Sequence, residues 1–379
     1  MAELEYAHAL EACLARVVSS SLTAGTIIKI YMFKPFEIFL YYIKCSDGQL
    51  FYIFFIALFF YLFAKVLYEI LNWLFFKIKP FKNFKSFLRG LIFICITFLI
   101  LLFCLGFVFI QITTHVDPQK IVFSNNAAMQ VDNFLFGKYI PFWFQDIKNP
   151  LKPFFDFSAS FIIGGYMALG FFISAVFIFL FIKKPDYFLK MLLAFFIAVF
   201  VSVPSWVLFP VIVPHHAYLD NILKAPIPNS IQTALSTYAP NKDLEKFFEF
   251  TDVPESFYKS DNKFFGITGM PSMHIAWSVL ILYFGIMLWR PLSIVLIPYF
   301  ILNAVSTMYT LQHYTIDIFG GIIAGALSIW LAHVITKNRT PKVLTEMTQY
   351  VQKDLKDLFS FFILLIKDIK SSFRPKKYN

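Results

Sequence analysis

Two short stretches of this 379-residue chain hold residue types that could do chemistry together. Gly269-Met270-Pro271-Ser272-Met273-His274 leads into one apolar run, and His313-Tyr314-Thr315-Ile316-Asp317 leads into another. A carboxylate four residues after a histidine shares its helical face. Asp317 can therefore accept a hydrogen bond from one ring nitrogen of His313 and leave the other as nucleophile or base. His274 stands at the expected start of a helix, where exposed amides and the positive dipole end favour a phosphate. Ser272 offers a hydroxyl donor beside it. Each part also has a plainer role. Pro-Ser before a helix is an ordinary cap, and a histidine at a helix end often only makes a hydrogen bond.

The elements that must position these groups are membrane helices. The chain is 59% hydrophobic and only 15% charged, with a mean hydropathy of +0.68, whereas soluble domains carry about 25% charged residues. A hydrocarbon core of ~30 Å takes about 20 apolar residues of helix. Seven runs fit that length: 51–76, 90–112, 159–182, 188–211, 274–289, 291–311 and 316–336, the fifth being short. The segment 27–44 is apolar but interrupted by Lys29, Lys34, Pro35 and Glu37, and reads as an interfacial helix or a further span. Lys65 and Glu69 are spaced to pair on one helical face. The fold expected is an all-α membrane protein. It divides into an N-terminal segment 1–50, an extra span with a basic loop over 51–89, a six-span core over 90–337 and a basic amphipathic tail over 338–379.

Basic residues cluster at 77–89, at Lys183, Lys184 and Lys190, at Arg290, and at Lys337, Arg339 and Lys342. If each run crosses once, these clusters fall on one side, which the positive-inside rule makes cytoplasmic. Both long loops, 113–158 and 212–273, then face outward, and His274 and His313 share that extracytoplasmic face, periplasmic or lumenal. Ionisable groups are costly at a membrane face, so two histidines and a carboxylate gathered there point to a functional site. The net charge of +10 suits anionic lipid. A nucleic-acid partner would need a solvated basic domain, and no stretch of adequate size offers one. Cys13, Cys45, Cys95 and Cys104 have neither metal-ligand spacing nor a disulfide pattern. The first residues lack the basic start and apolar core of a cleaved signal peptide. In the tail, Phe359, Phe361, Phe362, Leu365 and Ile369 could form one face of a surface helix. Lys376-Lys377-Tyr378-Asn379 has the form of a KKxx retrieval signal, which basic ends often reach by accident. A partner subunit is not legible in the sequence.

The pattern PSxH, a pair of spans, then HxxxD resembles the type 2 phosphatidic acid phosphatase superfamily. Within it, the chain is similar to the branch containing fungal inositol phosphorylceramide synthase. Ser306-Thr307-Met308-Tyr309-Thr310-Leu311-Gln312-His313-Tyr314 and Phe265-Gly266 carry that likeness, with Asp132-Asn133, Phe209-Pro210 and Pro214. It covers roughly residues 90–337. The resemblance implies that the residue at His313 attacks phosphorus to form a phosphohistidine-type intermediate. The residue at His274 is then general acid and later base, and that at Asp317 orients His313. It implies no metal and no cofactor.

One departure bears on the substrate. Superfamily phosphatases clamp a phosphate monoester with KxxxxxxRP and an Arg after the third-motif Ser. No KxxxxxxRP precedes Pro271, and Thr307 stands at the place of that Arg. Losing two charge-assisted contacts at ~1.5–3 kcal/mol each would weaken a doubly charged monoester severely, and a singly charged diester less. Lys263, Lys120 or Lys138 could supply a cation instead. Asp132 and Asn133 are placed to bind head-group hydroxyls or to cap their loop. His215 and His216 could approach the substrate phosphate, or form an exposed loop pair. His115 and His333 read as interfacial and packing residues.

Three functions compete on these grounds. The first is a phospho-head-group transferase of lipid metabolism, with membrane lipids as donor and acceptor: phosphatidylinositol and ceramide, hence sphingolipid biosynthesis. The second is a phosphatase acting on phosphatidic acid or a polyprenyl phosphate. The third is a non-catalytic scaffold or transporter, which would hold the two imidazoles more than ~10 Å apart, too far to share one phosphate.

Overall fold

In the computed structural model, residues 117–222, 224–251 and 269–337 are described, with isolated helical positions between 342 and 363. The runs 51–76 and 90–112, the segment 27–44, the Lys65–Glu69 pair, the cysteines, His115, Lys263 and the apolar tail face lie outside them.

The described residues are helical, with α1 Pro118–Phe136, α2 Ile140–Trp143, α3 Lys152–Phe157, α4 Ala159–Met167, α5 Leu169–Lys183 and α6 Pro185–Leu208. A π turn at His215–Leu219 is followed by α7 Asn229–Ser236, α8 Lys242–Thr251, α9 Met273–Leu288, α10 Ser293–Tyr309 and α11 Thr315–Thr336. Among the described residues, three helices are long and apolar enough to cross a membrane: Pro185–Leu208, Arg290–Tyr309 (α10 with the 3-10 turn before it) and Thr315–Thr336.

The expected continuous span 159–182 is instead two helices bent by 43° at Ala168. Gly164, Gly165 and Gly170 flank the bend, each a weak helix former. Gly165 is also where α4 meets α10, since a Cβ there would lie 2.6 Å from Leu302 Cγ. Helix α9 has 16 residues, about 24 Å at 1.5 Å per residue, short for the apolar core. It is also the centre of the bundle, touching α5, α6, α10 and α11, so its ends meet protein.

Leu169, Ile173, Leu180, Met191, Leu280 and Phe284 pack the middle between α5, α6 and α9. Outward faces stay apolar, with Ile294, Ile323 and Trp330 all exposed. An exposed apolar belt around long helices suits a lipid solvent.

Short connections fix which helix ends lie together. The C-terminal ends of α6 and α10 and the N-terminal ends of α9 and α11 share one end of the bundle. Gly269 N donates to Val211 O, and His215 N donates to Leu311 O. Lys184 and Arg290 share the opposite end, where Lys184 Nζ donates to Met287 O.

Candidate active site

The chain returns twice to one place. Ser272 is the N-cap of α9, its Oγ accepting from Ile275 N at 3.3 Å. That puts His274 in the first turn, buried. Asn303 of α10 holds this turn, donating from Nδ2 to Ser278 Oγ at 2.7 Å and to His274 O at 3.5 Å. The aromatic ring of Tyr166, on α4, stacks on the His274 ring at 4.3 Å and 20°.

His313 lies on the turn between α10 and α11. Leu311 there has φ +55°, a left-handed conformation uncommon for a branched side chain and characteristic of constrained functional loops. Thr307 O accepts from both Gln312 N and His313 N, so the end of α10 clamps the turn. His313 Nδ1 is 3.0 Å from Gly269 O and 3.3 Å from Asp317 Oδ2. A carbonyl oxygen only accepts, so Nδ1 carries the hydrogen and the neutral ring keeps its lone pair on Nε2. Asp317 is fully buried, and its Oδ2 also accepts from Tyr314 N at 2.9 Å. The His274 and His313 ring centroids are 6.0 Å apart, well inside the separation at which one phosphate can meet both.

The two motifs are joined through backbone. Ser272 N donates to Asp317 O at 3.0 Å. Below that bond, Gly321 and Gly325 let α11 lie directly on α9: a Cβ at Gly321 would stand 2.5 Å from Ser272 O, and one at Gly325 2.8 Å from Ala276 O. This is the close packing that small residues four apart allow between membrane helices.

The remaining expected residues sit as follows. Ser272 is buried and engaged as a helix cap. Asp132 is fully buried, with both carboxylate oxygens on Thr315 N at 3.1 and 3.3 Å, so it caps α11 across the chain. Burial pushes its carboxyl up from 3.8 to about 7, although the Thr315 hydrogen bonds oppose this. Asn133, the next residue along α1, is exposed. The two side chains therefore differ in environment, one engaged on α11 and the other at the surface. Lys120 Nζ donates to Val207 O at 2.9 Å, and Lys138 Nζ lies 4.3 Å over the Trp143 ring.

The exposed-loop reading of His215 and His216 is corrected. His215 is buried and His216 half-buried, because the π turn folds them under Phe248, whose ring stacks on His215 at 3.9 Å. Thr307, at the missing arginine, is buried and donates from Oγ1 to Ala304 O at 2.9 Å. His333 bonds Tyr283 at the far end. Sequence reasoning missed Tyr166, Asn303 and the Gly321/Gly325 seam. Of these, only the small-xxx-small spacing was legible in advance.

Curated proteins and solved structures yield no match. Residues 149–331 match the family model described as PAP2 superfamily, a stretch holding His274, His313 and Asp317. The stretch 149–331, which includes the long apolar helices of span length, is similar to the PAP2 superfamily, whose members are phosphatases or phosphotransferases.

Proposed function

We propose that this protein is a membrane lipid phospho-head-group transferase of the inositol phosphorylceramide synthase-like branch. It moves a phospho-head group from a glycerophospholipid, with phosphatidylinositol as expected donor, to a lipid hydroxyl, with ceramide as expected acceptor. The observation that carries this reading is the approach of the two rings, 6.0 Å between centroids, with His313 Nδ1–H held by Gly269 O and Asp317. His313 Nε2 attacks phosphorus as the phosphorus–oxygen bond to diacylglycerol breaks, and His274 gives its proton to the leaving alkoxide. His274 then takes the proton of the acceptor hydroxyl, whose oxygen attacks phosphorus and frees His313. Asp317 keeps the attacking tautomer and stabilises the charge that develops on the ring.

A diester donor is favoured over a phosphate monoester by charge. Thr307 supplies no guanidinium, and its hydroxyl is used on Ala304 O, so the site suits one negative charge better than two. Active-site orientation follows from the basic clusters, since Lys184 and Arg290 lie at the end remote from the histidines and read as cytoplasmic.

The test is the purified chain offered phosphatidylinositol, phosphatidylcholine, phosphatidylethanolamine or phosphatidic acid with fluorescent ceramide. A phosphorylated ceramide product without phosphate release supports transfer. Phosphate from phosphatidic acid without acceptor makes it a phosphatase. His313→Ala should abolish turnover, and full activity in that variant would end both readings.

A further inference from the structure

The π turn at His215–Leu219 carries a second cluster, to which the transfer steps proposed above assign no role. A π turn bonds residue i to residue i+5, and Asp220 N donates to His215 O at 3.2 Å. This wide turn sets Asp220 against His215, five residues back, as well as against His216, four back. Asp220 Oδ2 is 2.6 Å from His216 Nδ1 and 3.5 Å from His215 Nδ1. One ligand atom from each of the three lies within 4.8 Å of the others. An ion with bonds of about 2.0–2.2 Å holds tetrahedral ligand atoms roughly 3.4 Å apart. The cluster therefore needs only small side-chain shifts to close around one.

Its supports are rigid. Phe248 stacks on the His215 ring at 3.9 Å, and His215 N is tied to Leu311 O at 3.1 Å. The Asp220 side chain is 35% exposed, which gives an ion a path from water.

We propose that His215, His216 and Asp220 bind one divalent transition-metal ion of the zinc class and leave a coordination position open. Two imidazoles and one carboxylate are the donor set of open zinc and iron sites, while magnesium and calcium prefer all-oxygen shells. The cluster is joined to the loop of His313 through the Leu311 carbonyl, and the proposal does not depend on the transferase reading.

The probe is Co2+ titrated into the chelator-treated full chain in lipid nanodiscs, followed by visible absorption and then by displacement with Zn2+. The expected result is one Co2+ per chain, displaced by Zn2+. Affinity should fall at least tenfold in both His216→Ala and Asp220→Asn, and Zn2+ should raise the apparent Tm of the wild type alone. Asp220→Asn is nearly isosteric, so it decides the matter if His216→Ala fails to fold. Absence of stoichiometric binding by the wild type, or equal binding by wild type and Asp220→Asn, would overturn the site in favour of an imidazole–carboxylate ion pair.

Discussion

Replacing Gly321 by Ala adds one methyl group at the seam that joins the two motifs. Its Cβ would stand 2.5 Å from Ser272 O and 2.8 Å from Ile275 Cβ, where ordinary contact begins at 3.4 Å. The first neighbour is backbone, so no rotamer change relieves it, and α11 must back away from α9 by about 0.9 Å. The same motion stretches the 3.0 Å bond from Ser272 N to Asp317 O past hydrogen-bonding reach. Overpacking costs about 1–3 kcal/mol and the lost bond about 1 kcal/mol more. For chemistry the displacement matters more, because Asp317, which holds His313 Nδ1 on the turn before it, rides on α11 while His274 rides on α9. A misplacement of about 1 Å between reacting groups can lower kcat on the order of 100-fold. The assay is kcat on whichever lipid the wild type turns over, beside an apparent Tm in nanodiscs. Two controls separate geometry from fragility. Gly164→Ala, where a Cβ meets nothing within 4 Å, should leave both readouts unchanged. Gly325→Ala, one turn further from the site, meets Ala276 O at 2.8 Å and Val279 Cβ at 2.9 Å. It should cost comparable stability and less kcat. If Gly321→Ala keeps kcat within twofold of wild type, the α9–α11 seam does not set the distance between the imidazoles.

Asp317→Asn should lower kcat on the order of 100- to 10,000-fold with little change in KM, because an amide can donate to His313 and favour the wrong tautomer; single-turnover kinetics would show it. Tyr166→Leu removes the stack on His274, worth about 0.5–1.5 kcal/mol, and should cut kcat up to about tenfold. Because Tyr166 is buried, the Tm of this variant falls too, so Tyr166→Phe, which keeps the ring, is the control that should hold kcat. Burial raises the Asp132 carboxyl from 3.8 to about 7, so the folded chain holds a proton there that the unfolded chain has released. Stability contributed by this group therefore falls as pH rises from about 4 to about 7. Asp132→Asn keeps an acceptor for Thr315 N, and its apparent Tm should gain on the wild type across that window. Parallel pH profiles would refute the assignment.

How much was readable in advance divides along physical lines. Apolar runs of span length predicted α6, α10 and α11 to within a few residues, because the bilayer imposes a length and composition that a sequence displays directly. The break at Ala168 was not expected, since hydropathy does not register a bend and the glycines around it were read as part of one run. The spacing from His313 to Asp317 anticipated their contact, because one helical turn governs it. It did not anticipate Gly269 O, which comes from the other motif and holds Nδ1 more closely than the carboxylate does. Asp132 was legible as a residue that either binds head-group hydroxyls or caps its own loop. That it caps a helix 183 positions away belongs to tertiary structure alone. His215 and His216 were misjudged as exposed because an adjacent histidine pair after a proline looks like a loop, and a π turn leaves no clear mark in sequence.

The amides at this end of the bundle bear on the proposed substrate. A helix start ordinarily offers free N–H groups and a positive dipole end to a phosphate. Here the first turn of α9 has Ser272 N on Asp317 O and Ile275 N on Ser272 Oγ, and that of α11 has Tyr314 N on Asp317 and Thr315 N on Asp132. Two carboxylates thus occupy the positive end of α11, and the α9 cap is spent in joining the motifs. With those donors engaged and Thr307 in place of a guanidinium, the imidazoles are, among the described residues, the groups placed to bring positive charge to the reacting phosphorus. Protonated His274 can offset one negative charge while it waits to donate. A monoester would leave a second charge in a buried, poorly solvated place. The same helix caps that position His313 therefore support the proposed choice of a diester donor over a monoester.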